Sequence, residues 1–325
     1  MQSKLTNRRL WIIPLIAIFL MLFSYTVALA RSFAKVTIIV TDENNQPLSK
    51  ANVHLGFRVY TKGGWSSETN EASGLTDSKG YFTASSFADD FVGFTITKDG
   101  YYESGGDYKF KESSIGRWQP WNPEIIVVMR KIEMPVPMYA RDTSSMHPVL
   151  EIPVNGKSVG YDLMESDWVS PYGKGKHPDM FFRLDRKFVS RDDFEGTLTI
   201  TFPNKYDGIQ LVKYDRKRGS NFKLPRIAPE DGYQSKLVRT FSNKPGEPYK
   251  DSTKDDNNYI FRVRSEEKDG KFLRAMHGKI HGDIQFDMRG YKTAELVFKY
   301  FLNPDFTRNL ESGKNLIPGV QVGID

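Results

Sequence analysis

Two imidazoles and two carboxylates crowd the stretch "MHGKIHGDIQFDM" at 276–288: His277, His281, Asp283 and Asp287. Imidazoles and carboxylates are the usual partners in metal ligation and in acid–base catalysis. On a helix, His277 and His281 would be neighbours and could chelate one ion. The flanking residues argue for a strand instead. Met276, Gly278, Ile280, Gly282, Ile284, Phe286 and Met288 alternate with His277, Lys279, His281, Asp283, Gln285 and Asp287, and a period of two belongs to a pleated strand. Four strand residues span about 13 Å, too far for both imidazoles to meet one ion at bonds of about 2 Å. Asp283 and Asp287 are equally far apart, outside the spacing of a glycosidase carboxylate pair. His281 and Asp283, about 7 Å apart on one face, remain the candidate catalytic pair, given a third group from elsewhere. The competing reading is the wet face of an antiparallel sheet, and that is the expectation.

The tryptophans and one glycine-lysine loop are the candidate ligand-binding residues. They are Trp65, Trp118, Trp121 and Trp168, with Lys174 and Lys176 in "YGKGKHPD". That loop lacks the Walker pattern. It reads as a basic surface turn, with an anion resting on backbone N–H groups as the alternative. Trp118 and Trp121 sit in "GRWQPWNP", stiffened by Pro120 and Pro123. Residues three apart in an extended segment point to opposite sides, so these two rings cannot form one flat platform by themselves. The expectation is a plug, with at least one ring seated on a sandwich end and Trp121→Ala costing about 3 kcal/mol. There is no cysteine, which excludes disulfides, thiol catalysis and thiolate-bound zinc. No Gly-x-Ser-x-Gly elbow is present. No metal and no cofactor are expected.

The elements around these residues are short strands. "KVTIIVTD", "ANVHLGF", "YFTASS", "VGFTITKDGYY" and "EIIVVM" are separated by turns such as "ENNQP" and "TDSKG", which reads as a β-sandwich over 35–132. "EMPVPM" at 133–138 cannot lie inside a helix or a central strand and forms a junction. From 139 to 325 "TLTITF", "YIFRVR" and "AELVFKYFL" continue the β pattern, and Asp269-Gly270 marks a hairpin. Much of 203–257 is polar and reads as long loop. The fold class is therefore all-β: a leader, an immunoglobulin- or transthyretin-like sandwich, and a second antiparallel β-rich domain.

Residues 1–30 form that leader. Lys4, Arg8 and Arg9 precede an apolar run that ends in Ala28-Leu29-Ala30, the order of a signal peptide. An uncleaved anchor over 10–30 is the alternative and the sole membrane contact foreseen. Both place the rest of the chain outside the cytoplasm: periplasmic, at the cell surface, secreted or anchored. Beyond the leader 43 basic residues face 40 acidic ones. So mild a surplus does not call for nucleic acid.

Val40, Asp42, Pro47, Leu48, Ala51, Val53, Thr76, Asp77, Gly80, Phe82 and Gly100-Tyr101 follow the pattern of a known module. The stretch 35–132 resembles the carboxypeptidase regulatory-like domain, a transthyretin-like sandwich. That resemblance implies an accessory or adhesive module without catalytic residues of its own. With "DWVSPYGKGK", "GKIHGD" and "YFLNP", the whole chain resembles a group of exported bacterial proteins of unassigned activity. The functional expectation is a non-enzymatic envelope or surface protein that binds a glycan or a protein partner. A secreted hydrolase, working at His281 and Asp283 on the polar face of the second domain, is the alternative.

Overall fold

The computed structural model describes residues 32–60, 67–214 and 219–323, and the chain is all-β. The leader lies outside the described residues, as does Trp65. Among the described residues no helix is long and apolar enough to cross a membrane. The chain divides into two compact units, one reaching to Lys131 and the other beginning at Ile132.

The first unit contains β1 (Phe33–Thr41), β2 (Asn52–Tyr60), β3 (Ser67–Leu75), β4 (Tyr81–Phe87), β5 (Phe91–Thr97), β6 (Ser104–Lys109), β7 (Glu112–Ser114), β8 (Arg117–Gln119) and β9 (Glu124–Val128). It also takes in β16 (Gly219–Ser220). One sheet runs β4-β1-β8-β7, with β9 parallel to β1; the other runs β16-β6-β5-β2-β3. Alternate residues of each strand turn inward. Ala34, Val36, Ile38 and Val40 of β1 meet Val53, Leu55 and Phe57 of β2 and Phe94 and Ile96 of β5 in one core. Asp77 accepts from the backbone N–H of Lys79 and Tyr81, and Gly80 takes φ +80. A Cβ on Gly80 would stand 2.5 Å from the Val40 carbonyl, so this turn requires glycine on both counts.

The second unit holds β10 (Val136–Asp142), β11 (Ser158–Asp162), β12 (Asp167–Trp168), β13 (Met180–Ser190), β14 (Asp193–Thr201), β15 (Gly208–Lys213), β17 (Lys236–Asn243) and β18 (Lys250–Asp251). It continues with β19 (Asn257–Lys268), β20 (Lys271–Ile280), β21 (Gln285–Asp287), β22 (Glu295–Val297), β23 (Lys299–Asn303) and β24 (Ser312–Asn315). Two six-stranded sheets result, β15-β19-β20-β23-β10-β24 and β12-β11-β13-β14-β17-β18, with β21-β22 as a separate hairpin. The junction expected over 133–138 is overturned from Val136 on: Val136, Pro137 and Met138 open β10, an inner strand between β23 and β24, and Pro137 is accommodated where the β10–β24 register shifts between Val136 and Met138. Tyr161, Phe182, Leu198 and Ile200 of one sheet and Tyr259, Phe261, Ile280 and Tyr300 of the other share one core. Asp269 and Gly270 turn the β19–β20 hairpin with φ of 52° and 73°, the pair of positive values that an Asp-Gly type I′ turn supplies. The segment 203–257, expected as mostly loop, carries β15, β17 and β18 as well. Its strands are short and polar on one side, which hid them.

The stretch 276–288 departs from expectation in two ways. Its alternation holds, since Met276, Ile280, Ile284, Phe286 and Met288 all join the core. The pairing ends at Ile280, though, and resumes at Gln285 after Gly282 turns the backbone at φ +90. The opposite face is not wet: His277, Lys279 and His281 are buried, and Asp283, beyond the Gly282 turn, is buried against Arg239 and Tyr259. The loop after β16 and the segment after β23 lie over this face of the sheet. Ala228 and Leu310 pack with Ile260, Lys279 Nζ sits 4.6 Å over the Phe222 ring, and the Arg262 guanidinium sits 4.5 Å over Tyr233.

Candidate functional site

Asp283 is a structural hub. Its carboxylate accepts from Arg239 Nε at 2.9 Å and Nη2 at 2.8 Å, Tyr259 Oη at 2.5 Å and Asn257 Nδ2 at 2.6 Å. The backbone N–H groups of Lys254 and Ile284 add bonds of 2.9 Å each. A carboxylate offers about four lone-pair sites, so these donors saturate it. None is left to take a proton from water or a substrate. His277 is also buried; burial is the main cause that pulls its imidazole down to about 4, and the guanidinium groups of Arg262 and Arg308 add to it. Its Nδ1 lies 3.2 Å from the Thr307 carbonyl. Among the described residues no group of three or more His, Asp or Glu is placed to hold a metal ion.

The glycine-lysine loop is latched from within. Asp162 accepts from the backbone N–H of Lys176 at 2.9 Å and His177 at 3.0 Å, while Asp167 accepts from Lys174 N–H at 2.9 Å. The backbone donors that an anion would need hold the protein's own carboxylates. Burial pushes Asp162 up, but these bonds with those from Met164 and Glu165 outweigh it and hold the carboxyl below its usual range. A Cβ on Gly173 would meet Asp167 Oδ1 at 2.4 Å, so close packing under the latch requires glycine. The Lys176 ammonium pairs with Glu165, and Lys174 is exposed. Trp168 is a core residue, its Nε1 donating to the Glu151 carbonyl at 3.0 Å.

The two rings of "GRWQPWNP" take different parts. Trp118 packs on the core of the first unit, stacks on Phe110 at 5.9 Å, and donates from Nε1 to the Ala88 carbonyl at 2.9 Å. It is the plug. Trp121 points the other way and is 37% exposed. Its ring lies 6.4 Å from Phe33 with planes 28° apart. Phe33 meets Phe87 edge-on at 5.0 Å, and the Arg117 guanidinium sits 5.0 Å over Trp121. Three rings from three separate segments thus form one exposed aromatic group.

The strands explain why they meet. Phe33 opposes Phe87 in the β1–β4 register, and Phe33 pairs with Arg117 of β8. Odd residues of β1 face outward, so Phe33 begins a row that continues through Lys35 and Thr37 to Ile39. Ile39 opposes Tyr81 on one side and Ile126 on the other. Tyr81 is 38% exposed, and Ile126 and Val128 are also open to solvent. The outer face therefore carries apolar groups at both ends, six residues or about 20 Å apart. Thr37 Oγ1, Thr83 Oγ1 and Asn122 Oδ1 form a polar bridge between them, with contacts of 2.8 and 2.9 Å. Of this face, sequence reasoning had singled out Trp121 alone. Phe33, Phe87, Arg117 and Tyr81 escaped because the register that joins them is a long-range property.

No family model matches the chain, and no curated protein matches it. Among solved structures it is similar to BcpA, the major pilin subunit of Bacillus cereus, at 13% identity over 86% of this chain and 100% of that one, with a TM-score of 0.22. It is also similar to 3-chlorocatechol 1,2-dioxygenase from Rhodococcus opacus 1CP, at 10% identity over 31% of this chain, with a TM-score of 0.25. The match spans 61% of the dioxygenase chain. Superpositions at this level carry no functional argument.

Proposed function

We propose that this is an exported envelope protein that binds an extended glycan chain, without catalysis, along the outer face of the β4-β1-β9 sheet. The observation that carries this reading is the aromatic group of Trp121, Phe33 and Phe87 on an open sheet face, with Tyr81 about 20 Å away. Sheet faces left open to water are normally polar, and contiguous apolar groups on them mark interaction sites. Aromatic faces accept the apolar side of a sugar ring, while the bridging hydroxyl and amide groups and the Lys35 ammonium suit its hydroxyls. The basic-apolar-small order of residues 1–30 supports export, with the mature chain starting at Arg31.

Pull-down on insoluble polysaccharides and a glycan array test the reading. The protein should be retained by at least one linear polysaccharide. Trp121→Ala combined with Phe87→Ala should lower retention at least tenfold while the circular dichroism spectrum stays unchanged. Retention that survives the double variant, or capture by a protein partner with no glycan retained, would overturn it.

A further inference from the structure

A concave site lies in the second unit, among β17, β18 and the β21-β22 hairpin. Its volume is about 220 Å³. Phe241, Phe286 and Val297 make the apolar part of its lining, and Tyr249 stands at its mouth with its side chain 54% exposed. Tyr249 meets Phe241 edge-on at 5.7 Å, which fixes its ring while leaving much of it open. Thr253, Gln285, Asp251, Asp287, Arg289 and Glu295 supply polar groups around the cleft. A held aromatic ring beside planar amide, guanidinium and carboxylate groups is a lining for a small ring-shaped polar ligand.

The charges narrow the class. Arg289 closes a two-point pair with Asp287 at 3.0 and 2.9 Å and lies 5.1 Å over the Phe241 ring, so that guanidinium is already committed. Asp251 accepts from Thr253 N–H and Oγ1 at 2.8 and 2.7 Å, and Glu295 accepts from Tyr291 Oη at 2.7 Å. Among the described residues neither Asp251 nor Glu295 forms an ion pair. Three carboxylates, Asp251, Asp287 and Glu295, thus share the cleft with one guanidinium, Arg289, so a lining of net negative charge borders an open aromatic ring. Both features favour a cation, by Coulomb attraction and by attraction to the ring face.

We propose that this cleft binds an amino sugar carrying a free, protonated amine. Its pyranose ring stacks on Tyr249, its ammonium meets Asp251 and Glu295, and its hydroxyls meet Gln285 and Thr253. The site belongs to the second unit and does not depend on the sheet face of the first, so either can fail alone.

Calorimetric titration of the purified protein with a β-1,4-linked glucosamine tetramer, and with the fully N-acetylated tetramer, tests the assignment. The free-amine tetramer should bind at least tenfold more tightly than the acetylated one, and its affinity should fall as salt rises. Tyr249→Ala and Asp251→Asn should each lower that affinity at least tenfold. Glu295→Gln, which keeps the acceptor for Tyr291, should weaken binding as well. Four results would overturn the assignment: equal or tighter binding of the acetylated tetramer, binding of neither, indifference to Asp251→Asn, or preference for a lysine peptide over the free-amine sugar. Unchanged circular dichroism spectra separate a lost site from a lost fold.

Discussion

Trp118 and Trp121 differ by three positions and by the side of the sheet they serve. Trp118 packs its half-buried ring on the core and satisfies its N–H against Ala88, so Trp118→Ala should cost about 3 kcal/mol in denaturant unfolding. Trp121 mainly stacks on Phe33, so Trp121→Ala should cost about 1 kcal/mol, as an exposed aromatic pair does. The ranking expected from the segment alone assigned the large cost to Trp121; a larger cost at Trp121 than at Trp118 would restore it. His277 sets a second test at this scale. Its folded-state value of about 4 lies below the ordinary imidazole value of 6.5, so the unfolded chain binds more protons between these limits. Its contribution to stability is full above about pH 6.5 and is lost as pH falls to about 4, on the order of 3 kcal/mol in all. Urea midpoints of the wild type and His277→Gln, taken from pH 7.5 to pH 4.5, should show a shallower decline in the variant.

At the scale of elements, β20 and the turn after it show what a pattern of alternation can and cannot reveal. Period two identified which side chains share a face, and Ile280 is fully buried as that reading requires. It could not say which face meets water, because both faces of this sheet are covered: one by the partner sheet, the other by segments such as 221–235. Nothing local in "MHGKIHGDIQFDM" announces a covering layer some 50 residues away. The same limit hid the Phe33–Phe87–Trp121 group, which exists through the β1–β4 register, and the Tyr249 cleft, which needs β17, β18 and the β21–β22 hairpin together. What was legible was local: the strands of the first sandwich, the Asp-Gly hairpin, and the Asp77–Gly80 turn. The hub at Asp283 carries the prediction here. Asp283→Ala would leave Arg239 buried without its partner and should cost about 3–5 kcal/mol by chemical denaturation. Ile280→Asp should unfold the second unit by placing an unpaired charge in its core. A small effect of Asp283→Ala together with lost hydrolytic activity would instead make that carboxylate catalytic.

At the scale of the molecule, a chain without cysteine has no disulfide to add to its cores, and each unit has its own core. Every residue of the first core falls between Ala34 and Met129, and every buried residue of the large second core falls between Leu150 and Leu302. The first unit borrows one element from later in the chain: β16 pairs with β6 through Gly219 with Gly105 and Ser220 with Ser104. That pairing covers part of an edge and adds no apolar side chain to the core. Hydrophobic burial is the leading stabilising contribution, and an uncovered edge strand mainly exposes backbone groups that water can satisfy. Residues 32–131 expressed alone should therefore fold. Calorimetry should show one cooperative transition, and far-ultraviolet circular dichroism should show a β spectrum. The exposed β6 edge should make the fragment more prone to associate than the whole protein, measurable as sedimentation that depends on concentration. A fragment that binds hydrophobic dye and melts without cooperativity would show that the two residues of β16 decide whether the sandwich closes.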